Sequence, residues 1–205
     1  MSHSEESSSE RFSRSAADAA AFCKMIADRL SAQGYALQYG VPAEERAFRE
    51  YLNAAKTPCR YSAAELGGDY LLFGKKLSYS PISLIGFVET DVLLASIPNV
   101  RGAFIRPFSE RAFATAVCRK TRFVKGILPV VFQRIIPILL ADKSDSSVDE
   151  YFAAEKPRFD PAGKFICYPA VYVANHRQLT IHRQSPTMAG LHFAAATKLL
   201  QELIS

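Results

Sequence analysis

Between about residues 102 and 173, short branched-apolar stretches alternate with helical ones, and few architectures accept that alternation. Ala103 to Arg106 reads as a strand, Ser109 to about Lys125 as a helix, and Arg134 to Ala141 (RIIPILLA) as a buried strand. Val148 to Glu155 then reads as a short helix and Lys164 to Val173 as another strand. Apolar residues at helical spacing mark the helices, while short runs of branched residues mark the strands. Strand, helix, strand, helix, strand is the pattern of parallel βαβ units, because returning a strand in the same direction takes a crossover about as long as a helix. Pro137 inside RIIPILLA has no N–H to donate, so pairing should be restricted on one side of that strand.

The flanking segments fit the same sheet. Residues 1–14 are rich in Ser and Glu and read as a disordered tail. Ser15 with Asp18 offers a capped start for a helix carrying Ala19, Phe22, Cys23, Ile26 and Leu30 and stopping at Gly34. A second helix follows Pro42, with Phe48, Tyr51, Leu52 and Ala55 as its stripe, and ends before Pro58. Tyr70 to Phe73 and Ile82 to Ile97 read as strands. Asn175-His176 turns the chain into Gln178 to Arg183, and a last helix carries Leu191, Ala194, Ala195, Leu199 and Leu203. The expected fold is α/β or α+β: a mixed β-sheet with a central βαβαβ stretch, a C-terminal hairpin and flanking helices, preceded by two N-terminal helices. Residues 15–205 should form a single domain.

Composition closes off several classes. At 205 residues, 49% of them hydrophobic, the chain can bury a core without a metal or a disulfide. Cys23, Cys59, Cys118 and Cys167 lie far apart with no CxxC pair, so no zinc knuckle is expected. Cys23, Cys118 and Cys167 fall in or beside apolar segments and read as buried, reduced thiols, which points to a reducing compartment. The longest apolar run, Phe123 to Ala141, is broken by Lys125, Pro129, Gln133, Arg134 and Pro137, and no transmembrane segment is expected. The polar N-terminus lacks the apolar stretch of a secretory signal. The expected location is cytoplasmic, and neither a metal nor a cofactor is called for.

Charge is unevenly spread along a chain of net charge +5. Between Arg101 and Arg134 stand eight basic residues against Glu110 alone, whereas 142–160 holds six acidic residues against three basic ones. At 100° per residue Arg111, Arg119, Arg122 and Lys125 share one face of the third helix, an expected basic surface for a nucleic acid or an anionic membrane. The bland alternative is a solvated helix face. Lys120 falls on the apolar face of the same helix, where an ammonium needs a partner. Glu89 and Asp91, at i, i+2 on one strand, share a side and are the nearest candidates. Glu89, Asp91 and Lys120 are therefore the catalytic candidates, either an acid/base site or a buried ion network. Two acids with a lysine resemble nuclease metal sites, yet the spacing of an Asp upstream of Glu-x-Lys on one strand is absent.

Ligands of parallel sheets sit beyond the carboxyl ends of the strands. Arg106, Ser109, Asp142 and Lys143 stand at those expected ends and form a candidate anion-binding rim, with Ser109 at a helix N-terminus. Their plain alternative is two caps and two surface cations. The glycines match neither a dinucleotide loop nor a P-loop. His182 and His192 are near enough in sequence to approach each other, but without a carboxylate they make half a metal site; His3 and His176 fall in the tail and in a turn. No nucleophile elbow is present.

Three functions follow. The first is a non-catalytic module binding a protein partner within a larger assembly, resting on missing motifs and on the apolar Ile82 to Ile97 region. The second is a nucleic-acid-binding or nuclease-like protein using the basic 101–134 region. The third is an enzyme acting on a small anionic substrate at the strand-end rim.

Overall fold

The computed structural model describes residues 8–54, 61–62, 65–79, 87–121, 123–124, 128–160, 165–183 and 190–205. The chain runs Ser8–Ala32 (α1), Ala36–Val41 (β1), Glu45–Ala54 (α2), Tyr70–Tyr79 (β2), Phe87–Val100 (β3), Gly102–Cys118 (α3), Phe123–Val124 (β4) and Leu128–Ser144 (β5). It continues with Ser146–Ala154 (α4), Arg158–Asp160 (β6), Phe165–Cys167 (β7), Ala170–Val173 (β8), Gln178–Ile181 (β9) and Gly190–Ile204 (α5).

A mixed sheet flanked by helices results, as the alternation requires. β1, β2 and β3 form an antiparallel meander. α3 then carries the chain to β5, parallel to β3, and α4 leads on to β7 and β8, both parallel to β5. β6 and β9 pair antiparallel with β7 and β8 as the closing edges. The strand order is β1-β2-β3-β5-β7-β6, with β8 and β9 extending the same side.

Pro137 explains why β7 and β8 are separate. Its register with β3 is continuous at Leu93, but on the other side the ladder stops at Ile135–Cys167 and resumes at Ile138–Ala170. Tyr168 donates its N–H to the Ile135 carbonyl (2.8 Å) just before the gap, so the missing proline donor falls where no partner strand asks for one.

The period of two in β3 and β5 divides the core. Leu93, Ala95, Ile97, Ile135, Leu139 and Ala141 face a layer built on α2, α3 and α4. Val92, Leu94, Ile136, Ile138 and Leu140 face α1 and α5. Between Phe108 and Ala116 every residue of α3 is buried, so this helix has no solvent stripe over those turns.

Local expectations shift at several points, among them residues 8–14, expected in the tail but forming the start of α1. The Ala103–Arg106 strand is the first turn of α3 instead, and Pro107 lies inside that helix. A proline normally pushes its predecessor to extended backbone, but burial of Ile105 and Phe108 holds the helical path. Gly102 permits it: its N–H donates to Ser147 Oγ (2.8 Å), and a Cβ there would lie 2.2 Å from the Ser147 carbonyl oxygen. The third helix ends at Cys118 rather than Lys125. β1 was not foreseen. The part of the Ile82–Ile97 region that is described is the central β3, buried on both faces, so it offers no apolar docking surface; residues 82–86 lie outside the described residues.

Candidate functional site

Glu89 and Asp91 project from β3 under the C-terminal end of α3, and neither has any exposed surface. In register, Asp91 lies opposite Lys75 of β2 and Glu89 opposite Gln133 of β5. The four side chains therefore share one face of three adjacent strands. Lys75 Nζ lies 3.1 Å from Glu89 Oε1 and 4.0 Å from Asp91 Oδ1, and it also donates to the Arg119 carbonyl. Gln133 Nε2 reaches Asp91 Oδ2 (2.7 Å), Glu89 Oε1 (3.3 Å) and the Ala116 carbonyl (3.1 Å). The roof is the last turn of α3 and its exit, where the Thr121 N–H donates to Glu89 Oε2 (3.0 Å).

The electrostatics are unbalanced. Two carboxylates meet one ammonium, and the carbonyl end of a helix adds further negative potential. Burial, then the Glu89 charge, raise the Asp91 carboxyl well above the usual range, more than Lys75 pulls it down. Burial therefore favours the protonated form of Asp91. Asp91 Oδ1 and Gln133 Oε1 are buried with no hydrogen-bond partner. An acceptor left without a donor costs about 1–3 kcal/mol, and a cation is the alternative to a donor. No group of three or more His, Cys, Asp or Glu gathers among the described residues. The oxygens on offer here are two carboxylates, one amide and the Ala116 and Arg119 carbonyls.

The carboxylate pair meets a lysine, and the ammonium between the acids is Lys75 of β2, while Lys120 lies half-buried in the turn after α3. A strand ending at Phe73 leaves Lys75 outside the sheet and away from the acids. Alternation through YLLFGKKLSY carries the strand on to Tyr79 and brings Lys75 to the Asp91 side.

Of the expected basic surface, the two described members, Arg111 and Arg119, are turned to ion pairs with α2 rather than to an open face. Arg111 is 1% exposed; its Nε donates to Glu45 (2.6 Å) and it lies over the Tyr70 ring, fixing α2 against α3. Arg119 is half-buried and bonded to Glu44 and Gln38. Arg122 and Lys125 lie outside the described side chains.

The strand-end rim is corrected too. Gly102 against Ser147 closes the space beyond β3 and β5. Ser109 is no helix cap; it sits within α3 and donates back to the Ile105 carbonyl (2.6 Å). Arg106 and Ser109 line a separate cleft of about 320 Å³ between α3, α4 and the β7–β8 link, which Asp142 and Lys143 do not reach. Asp142 accepts from Asn175 through its carbonyl, and Lys143 is exposed.

The histidines are not brought together. His182 bonds the Glu155 carbonyl, while His192 stacks on Phe132 (3.9 Å) and meets Arg134. Cys23 and Cys167 are buried as expected, but Cys118 is exposed; Cys59 lies outside the described residues. No described helix is long and apolar enough to cross a membrane, which says nothing of β-barrels.

No family model matches the chain, and no curated protein matches it. Among solved structures it is similar to the cAAA-bound form of NucC from P. aeruginosa ATCC27853, at 13% identity over 90% of this chain and 91% of that one, with a TM-score of 0.30. A likeness that low carries no functional weight.

Proposed function

We propose that the Glu89–Asp91–Lys75 cluster is a divalent-cation-dependent phosphoester-hydrolysing centre of nuclease type. The observation that carries this reading is the gathering of buried oxygens: two carboxyl groups on one strand beside the Lys75 ammonium, with Asp91 Oδ1 and Gln133 Oε1 lacking hydrogen-bond donors. Small hard cations favour oxygen ligands, and Mg²⁺ in particular is held by one or two carboxylates together with substrate phosphates rather than by a full protein cage. Glu89, Asp91 and Gln133 Oε1 supply that partial set. Lys75, 21% exposed, is the group of the cluster that reaches towards solvent and places a positive charge for the phosphoryl oxygens. In the reaction, water adds its oxygen to phosphorus, the P–O ester bond breaks, and the leaving oxygen takes up the proton.

Because ligation requires ionised carboxylates, cation uptake displaces the Asp91 proton and strengthens as pH rises. Millimolar Mg²⁺ or Mn²⁺ should raise the melting temperature more at pH 8 than at pH 6. The same ions should support cleavage of single- or double-stranded DNA, and both effects should vanish in Glu89→Gln and Asp91→Asn. Absence of any cation-dependent melting shift at pH 8 sinks the reading. The complete burial of both carboxylates favours a second one, a non-catalytic binding module in which the cluster is a structural ion network. That is the outcome the same titration would then support.

A further inference from the structure

The cleft between α3 and α4 carries a second constellation, separate from the carboxylates. Its cationic side chains are Arg106, Lys156 and Arg158, set against Glu110 and Glu155. Arg106 is 66% exposed and holds the nearly buried Glu110 at 3.3 Å, so that carboxylate is already matched. Arg158 is fixed over the faces of Phe113 (4.8 Å) and Phe165 (5.5 Å). With Glu155 set against the remaining two cations, the lining carries an excess of one positive charge, which suits a small anion.

One wall group asks for something more specific. His182 lines this cleft, is 2% exposed, and is held by the rings of Phe152 and Tyr168. Its Nδ1 lies 2.8 Å from the Glu155 carbonyl. A carbonyl only accepts, so Nδ1 carries the hydrogen and Nε2 presents a lone pair. Nε2 is buried with no partner. Desolvation holds this imidazole below its ordinary pKa, so it is neutral at pH 7. A buried acceptor in a cationic cleft selects an anion that brings a hydrogen of its own.

We infer that this cleft is a binding site for a small anion bearing an acidic O–H, of the phosphate-monoester class, with its oxygens on Arg106, Lys156 and Arg158 and its O–H donated to His182 Nε2. The site is chemically independent of the hydrolytic proposal, since it needs no divalent cation.

Phosphate and sulfate make the test. They are alike in shape and charge, but near pH 7 phosphate keeps an O–H and sulfate does not. In EDTA, which removes any cation from the carboxylate centre, calorimetric titration of the whole chain with inorganic phosphate should give one saturable site. Sulfate should bind at least about tenfold more weakly, the equivalent of losing one hydrogen bond of about 1.4 kcal/mol. Lys156→Ala, on an exposed side chain that leaves the fold alone, should weaken phosphate several-fold. His182→Phe should erase the preference between the two anions. Equal affinities would overturn the assignment, since they mark a general cationic patch or a protonated histidine. Phosphate binding untouched by Lys156→Ala would overturn it as well.

Discussion

The two faces of the sheet at the level of β3 residues 89–91 carry opposite charge. On the α3 side stand Glu89, Asp91 and Gln133 with Lys75 between the acids. One residue along, on the side of α1 and α5, stand Lys76, Thr90 and Arg134. Arg134 bonds Thr90 Oγ1 (3.1 Å) and His192 (3.4 Å), while Lys76 bonds the Gln33 carbonyl and lies over the Tyr35 ring. Among the described residues neither of those two cations has a carboxylate partner. Side chains alternate across a strand, so the KK pair of β2, the ETD of β3 and the QR of β5 are each split between faces. The sheet backbone thus separates an acid-rich layer from a base-rich one, and each layer must settle its own charge.

The largest test of that separation is Lys75→Met. It leaves Glu89 buried without its counter-ion, a loss of about 3–5 kcal/mol, read as a drop in urea midpoint at constant slope. Glu89→Gln added to it should restore most of the loss, because the orphaned charge disappears. Were Lys75→Met nearly neutral, Lys75 would be a surface cation, and the cluster would not be closed in the way described.

Asp91→Asn comes next and reads the proton. Asp91 is raised from an ordinary 3.8 to about 8 in the folded chain. A raised acid favours the folded state while protonated, so its contribution is complete below pH 3.8 and is lost as pH climbs through about 8. Stability of the wild type should therefore decline across that window. Asn keeps a donor towards Glu89 and carries no charge, so the variant should lose this decline and melt a few degrees higher at pH 8. A parallel decline in both proteins would show that Asp91 is ionised throughout.

Arg134→Met, on the opposite face, should cost far less than Lys75→Met, within about 1 kcal/mol. Burial holds the Arg134 guanidinium below its usual range, so removing it relieves a desolvated charge while losing two hydrogen bonds. A loss comparable to that of Lys75→Met would mean that this face, too, holds a buried counter-ion.

How much of this was legible turns on the same alternation. The i, i+2 pairing of Glu89 with Asp91 and the one-sided pairing at Pro137 follow from spacing within a single element and appear as read, whereas the βαβαβ alternation holds with β3, not Ala103–Arg106, as its first strand. What the sequence hid lies between elements. Lys75 joins the acids only through the β2–β3 register, and Arg111 is buried only because α2 covers that face of α3, a packing that helical periodicity does not encode. Pro107 concealed the start of α3, because the Gly102–Ser147 contact that steadies it joins residues 45 positions apart. His182 looked like half of a metal site until the fold gave its Nδ1 a carbonyl.

The smallest effect closes the contrast, because its sign opposes that of Asp91. His192 stacks on Phe132 and accepts from Arg134, and burial followed by the Arg134 charge lowers its pKa from 6.5. A lowered base favours the folded state while neutral. Its contribution is therefore complete above pH 6.5 and is lost as pH falls towards the folded value. His192→Phe keeps the stack and gives up one hydrogen bond, about 0.5–1.5 kcal/mol at neutral pH, and it removes part of the acid-side loss. His182, on the other face, contributes a loss of the same sign, so a residual acid-side decline should survive in His192→Phe. In Asp91→Asn the decline between pH 3.8 and about 8 should disappear, so the acid-side loss from the histidines should stand out more steeply than in the wild type. If His192→Phe altered the alkaline side instead, the two faces would be titrating as one network through the sheet.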